Sequence, residues 1–170
     1  NHARDIYRCL WKLEEYEIKC LDVRWGDCPR NALEAPGEFN DSLKSTFVEQ
    51  GPKGISLDRQ PDIYMDIRIP NEFQQIGKVN IGITAGVETS AVSAAWLDGC
   101  NKMDLIITVS EHSKMGFVGA KYDKVQNLPD GKQQKVGELK LEKPIEVLFE
   151  GLEIDTFKPL KSSELKTPIS

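Results

Sequence analysis

Between residues 62 and 149 the chain alternates short extended patterns with helical ones, an order that few folds accommodate. From Asp62 to Ile69 the apolar residues Ile63, Met65, Ile67 and Ile69 alternate with others until Pro70 stops the run. That period of two predicts a half-covered strand. Val79, Ile81 and Ile83 repeat the pattern over 79–84. Beyond Ala85-Gly86, the residues Val92, Trp96, Cys100 and Met103 fall on one helical stripe, which predicts a helix over 89–102. Asp104 to Val109 (DLIITV) is nearly continuous in apolar residues, as in a strand covered on both faces, and Ser110 is placed to cap a helix beginning at Glu111. A further buried strand is predicted from Ile145 to Phe149. Strands separated by helices predict an α/β fold with a parallel sheet flanked by helices.

The flanking regions read less regularly. Ile6, Cys9, Leu10, Leu13 and Tyr16 recur at three- and four-residue spacing and predict a helix over 4–16. Ile18 to Trp25 is compatible with a strand, and Gly26, Pro29, Pro36 and Gly37 then punctuate a long loop. A short helix over 41–50 could be capped by Asp41 or Ser42. Leu128-Pro129-Asp130-Gly131 is a strong turn signal inside 122–143, which reads as an inserted β-hairpin. The segment 158–170 has linker composition, leaving 1–157 as one domain.

Composition removes several classes of function. With 22 Lys and Arg against 27 Asp and Glu, the net charge is −5, and no dense basic stripe offers a counterion-release surface to nucleic acid. No run approaches the ~18–20 apolar residues that a membrane-spanning helix needs. Cys9, Cys20, Cys28 and Cys100 form no CxxC pair and have no histidine at ligand spacing, so no metal site is expected and the thiols read as reduced and cytoplasmic. GxGxxG, GxxxxGK[ST] and GxSxG are all absent.

In parallel α/β sheets, ligands gather beyond the carboxyl ends of the strands, which directs attention to 84–89, 110–114 and 150–155. Glu88, beside Thr84 and Thr89, has two readings. Its carboxylate could accept bonds from sugar hydroxyls or act as a base, or it could simply favour a helix start, a place Thr89 could equally cap. Ser110 and Lys114 open a helix whose free amides could receive a phosphate, with plain N-capping as the alternative for Ser110. His112 reads as a surface residue at a helix start.

Two segments, VNIGITAGVETSAVSAAWLDGCNKMDLIITVSEHSKMGF (79–117) and PIEVLFEGLEIDTFKP (144–159), together resemble the amino-terminal domain of GT-B glycosyltransferases, particularly the large group-1 family. Met103 to Phe117 is similar to that family's "aDxVIxxSexxkxxf" segment, and Ile145 to Pro159 to its "IxVIxxGVDxxxFxP" crossing to a second domain. The resemblance implies a Rossmann-like acceptor-side domain whose first strand and glycine turn precede Asn1, and a nucleotide-sugar co-substrate with no permanently bound cofactor. It also implies a hydroxyl acceptor and a carboxy-terminal Rossmann-like partner domain that grips the donor. It places Asn1 and His2 at the cleft border, Thr84, Gly86, Glu88 and Thr89 toward the acceptor, Ser110 and Glu111 on the floor, and Glu150 and Gly151 at the hinge. Glu150 stands where the family has asparagine, and Gly86-Val87-Glu88 where many members have a histidine. The rival expectation is a binding or assembly module built on half of that architecture without turnover, with a sugar-nucleotide epimerase ranked below it.

Overall fold

The computed structural model describes residues 2–23, 27, 31, 33–48, 50–51, 54–129, 132–152, 154 and 157–160. In chain order the elements are α1 (His2–Leu13), α2 (Glu38–Ser45), β1 (Gln50–Gly51), β2 (Gly54–Ile55), β3 (Ile63–Ile67) and a 3-10 turn at Pro70–Glu72. There follow β4 (Val79–Thr84), α3 (Ala94–Cys100), β5 (Leu105–Thr108), α4 (Glu111–Gly119), β6 (Tyr122–Asn127), β7 (Gln133–Leu139) and β8 (Ile145–Val147). A four-stranded sheet in the order β3-β4-β5-β8 is parallel throughout. The α/β class and the helix-flanked parallel sheet are as the strand–helix rhythm predicts. The Rossmann-like character is consistent with both. No helix among the described residues is long and apolar enough to cross a membrane.

Which face of the sheet lies deepest differs from the expectation. Residues two apart share a face, and parallel partners in register point the same way. Gly82, paired with Ile106, therefore belongs to the face that carries the core of Phe73, Val92, Leu97, Cys100, Met103, Ile106, Phe117 and Ile145. Asp66, Asn80, Thr84 and Thr108 line that same face and are all buried, whereas Ile63 and Val79 on the other face are exposed. Gly82, Asn80 and Asp66 can occupy the deep face because each has a specific use. Gly82 has no side chain, and the Phe73 ring takes the space; a Cβ there would sit 2.5 Å from Phe73. The Asn80 amide oxygen accepts from Ile76 N and Gly77 N, both at 2.9 Å, and so closes the turn before β4. Asp66 accepts twice from Arg68 at 2.6 Å and once from Gln74 N at 2.9 Å, fixing the segment after the 3-10 turn. The pair holds the Arg68 guanidinium above its ordinary pKa through the Asp66 hydrogen bonds. Removing one member of such a buried pair costs about 3–5 kcal/mol.

Helix α3 lies directly on the 3-10 turn. Gly99 makes this possible, because a Cβ at that position would fall 1.8 Å from the Pro70 carbonyl oxygen. Trp96 of α3 stacks on Phe117 of α4, their centroids 6.1 Å apart. The expected hairpin forms as the antiparallel pair β6–β7, with a bulge between Lys124 and Val125. Its return is pinned by Asn101, which donates to Lys140 O and accepts from Glu142 N, each at 2.8 Å.

Several element boundaries shift. The first helix ends at Leu13 rather than at residue 16, followed by Glu14 at φ +55°. The strand expected over 18–25 is an isolated bridge, Cys20 to Phe47, among its described residues. Helix α2 starts at Glu38, three residues before the expected cap at Asp41, and Gly37 occupies its N-cap. Helix α3 begins at Ala94 instead of residue 89 because Thr89 to Ser93 is drawn along α4, where Val92 N bonds Gly116 O at 3.4 Å. Strand β8 ends at Val147, two residues short. The linker expected over 158–170 falls mostly outside the described residues.

Two outcomes follow from this packing. Gly99→Ala lowers unfolding free energy in urea by at least ~2 kcal/mol, since backbone rather than a flexible side chain obstructs the new methyl. Burial pushes the Cys100 thiol from 9.0 up to about 12, so the folded chain retains a proton that the unfolded chain releases. The stability held by this neutral thiol is complete below pH 9.0 and falls as pH rises toward about 12. In thiol labelling read by mass spectrometry at pH 8, exposed Cys9 reacts at once and Cys100 only on unfolding.

Candidate functional site

The parallel register brings the strand ends to one edge. Thr84 lies opposite Thr108, and Thr108 in turn opposite Val147. Both threonines are buried, and the Thr108 hydroxyl has no hydrogen-bond partner among the described residues. Thr108 O accepts from Leu148 N at 2.9 Å, which carries the chain beyond β8 past the same edge.

Gly86 turns the chain after β4 with φ +79°, a conformation L side chains rarely adopt, and a Cβ there would meet Ser113 Cβ at 2.7 Å. Ser110 caps α4 by accepting from Ser113 N at 3.1 Å. The Ser110 hydroxyl donates to Ser113 Oγ at 3.1 Å, and Ser113 Oγ donates to Ala85 O at 2.9 Å. One ordered chain of donors thus joins the helix cap to the loop that carries Glu88. The loop is held again at Val92, whose carbonyl accepts from Tyr122 Oη at 2.5 Å.

This geometry settles the two readings of Glu88 in one respect. Helix α3 starts at Ala94 with Ser93 at its N-cap, so neither Glu88 nor Thr89 caps it. Glu88 is exposed and has no partner among the described residues, while Thr89 Oγ1 donates to Ala91 O at 3.0 Å. Ser110 is the N-cap of α4, and Glu111 is exposed in its first turn. Lys114 turns toward β8, with Nζ 3.4 Å from Glu146 Oε2. His112 is exposed, as expected.

At the opposite end of the sequence, His2 opens α1 and its Nδ1 lies 3.4 Å from Glu150 Oε1. The His2 side chain is 16% exposed and that of Glu150 60%. His2 Nε2 is enclosed and has no hydrogen-bond partner among the described residues. Gly151 is exposed, with open space where a Cβ would be. Asn1 lies outside the described residues. The edge therefore gathers Thr84, Gly86, Ser110 and Ser113 on one side and pairs His2 with Glu150. No group of three or more His, Cys, Asp or Glu among the described residues is arranged to hold a metal ion.

Sequence reasoning missed Thr108 and Ser113. The signal for Thr108 was present in the strands themselves, since both VNIGIT and LIIT end in Ile-Thr and align in register. Ser113 could have been found from the Ser-x-x-Ser spacing at a helix start. No protein-family model, curated protein or solved structure matches this chain.

Gly86→Ala destabilises the fold by roughly 1–3 kcal/mol in chemical denaturation, from left-handed strain together with contact against Ser113. Gly119→Ala, with nothing within 4 Å of the added methyl, is the control and leaves stability within about 0.5 kcal/mol.

Proposed function

We propose that the chain is the acceptor-side domain of a cytoplasmic GT-B glycosyltransferase, which moves a sugar from a nucleotide-sugar to an acceptor hydroxyl. The observation that carries this reading is the meeting of His2 and Glu150, 3.4 Å apart, at the carboxyl edge of a parallel sheet. Residues so distant in sequence meet there because α1 begins at the edge where β8 ends, the side on which α/β sheets bind ligands. The resemblance of 79–117 and 144–159 to the family's ordered motifs supports the same reading. Free thiols at Cys9, Cys20 and Cys100 suit a reducing compartment.

On this reading the edge is one wall of a cleft. Thr84, Gly86, Glu88 and Thr89 face the acceptor; Ser110, Glu111 and Lys114 form the floor; Glu150 and Gly151 flank the crossing to a donor-binding Rossmann-like domain. The transferred sugar leaves a diphosphate whose developing charge is stabilised by cationic groups and helix amides. The present chain supplies positioning and acceptor contacts, and the partner domain supplies most of the donor grip.

Sequencing the complete reading frame tests the proposal. The expected result is continuation into a second α/β unit of similar size, within the usual domain range of ~100–150 residues. A stop codon directly after Ser170 contradicts it. In the complete enzyme, Glu88→Gln lowers kcat/KM if the exposed carboxylate touches the acceptor, and unchanged kinetics remove it from the site.

A further inference from the structure

We propose that the inserted hairpin positions the arm that carries Glu88 and Thr89, and that Tyr122 is the positioning residue through which it acts. The inference rests on the transferase reading above only in calling that arm the acceptor side. Residues 85–93 leave β4 at the carboxyl edge and run along α4, where Val92 N bonds Gly116 O at 3.4 Å. The path lies close against the helix, since a Cβ on Gly116 would sit 3.6 Å from Thr89 O.

A side-chain hydroxyl holds each end of this path. Ser113 Oγ donates to Ala85 O at 2.9 Å where the arm begins, and Tyr122 Oη donates to Val92 O at 2.5 Å where it ends. Val87 adds an apolar anchor just inside the first tie, packing half-buried against the core. From 88 to 91 every residue is exposed, and the hydrogen bond printed by the geometry there, Thr89 Oγ1 to Ala91 O at 3.0 Å, is internal to the arm. Glu88 and Thr89 therefore ride on a strap whose position is set by its two ends.

The ties hang from different parts of the fold. Ser113 belongs to α4 and is locked by the helix cap through Ser110 Oγ at 3.1 Å. Tyr122 lies beyond α4 as the first residue of β6, and the hairpin fixes its place. It pairs across the hairpin with Leu139, which is buried in the core, and the return is pinned by Asn101 at Lys140 and Glu142. The tyrosine in turn satisfies the carbonyl of Val92, a residue 2% exposed. A buried acceptor deprived of its donor regains a partner by moving toward water. Such a movement pulls on the Val92 N bond to Gly116 O and shifts the strap. The hairpin thus acts on Glu88 and Thr89 through Val92, without reaching them itself.

Local opening separates this role from plain support of the fold. Amide exchange on the isotope-labelled chain reads it, because Val92 N is bonded to Gly116 O, whereas Ile106 N is bonded to Pro144 O within the sheet and reports wider opening. Tyr122→Phe keeps the ring and removes the hydroxyl alone. The expected result is exchange at Val92 faster by about tenfold, with a much smaller change at Ile106. Relaxation dispersion then appears at the Thr89 and Ser90 amides. A rise at Val92 no larger than that at Ile106, or Thr89 and Ser90 resonances indifferent to the substitution, overturns the proposal. Methyl α-glucoside at high concentration, used as a hydroxyl probe, separates this outcome from the fate of the transferase reading. Shifts at the Glu88 and Thr89 amides of the unaltered chain that shrink in Tyr122→Phe support a positioned acceptor arm. Glucoside shifts of equal size in the two chains overturn the positioning role. Absence of shifts in the unaltered chain counts against the acceptor reading, while the exchange result still decides the tether.

Discussion

Parallel pairing obliges every connection to cross the sheet, so all four strands finish on the same edge. That constraint positions everything of chemical interest here. It sets Thr84 beside Thr108, brings the loop after β4 onto the first turn of α4, and sends the segment after β8 past Thr108 toward His2. An antiparallel arrangement of the same strands would divide these groups between two ends of the molecule.

Holding the sheet in this form relies on a polar framework as much as on apolar contact. Asp66 with Arg68, Asn80 with the turn before β4, and Asn101 with the hairpin return each satisfy groups that would otherwise be left unpaired. The networks of Asp66 and Asn80 are expensive to break because a buried partner is left without compensation. They also define where loops attach, something apolar packing alone does with less specificity. Gly82 and Gly99 extend the same logic, since each omits a side chain where an aromatic ring or a carbonyl must approach.

Much of the architecture was legible because periodicity is a strong signal when strands are short and helices intervene. The sequence pattern of β4, the cap at Ser110 and the inserted hairpin all match the structure. Alternation in 62–69 and 79–84 could not say which face is deepest, however, because it reports only where apolar residues fall. Burial of Asp66 and Asn80 depends on Arg68, Gln74, Ile76 and Gly77, all in the irregular segment between β3 and β4. Helix α3 was overextended for a related reason: residues 89–93 carry a helical pattern, but tertiary contact with α4 draws them into another path. At the edge, individual candidates such as His2 and Glu150 could be nominated from their places in the chain, whereas their pairing is a product of topology. The deep position of Thr108 follows from register, which no local motif encodes.

Convergence of α1 and the segment after β8 on one edge is the central physical claim, and a NOESY spectrum of the isotope-labelled chain tests it most directly. The account predicts cross-peaks between the His2 ring protons and the Glu150 side chain, observed together with ladder contacts between the Ile83 and Ile107 strands. Intact ladder contacts with no cross-peak from His2 to residues 148–151 would contradict it.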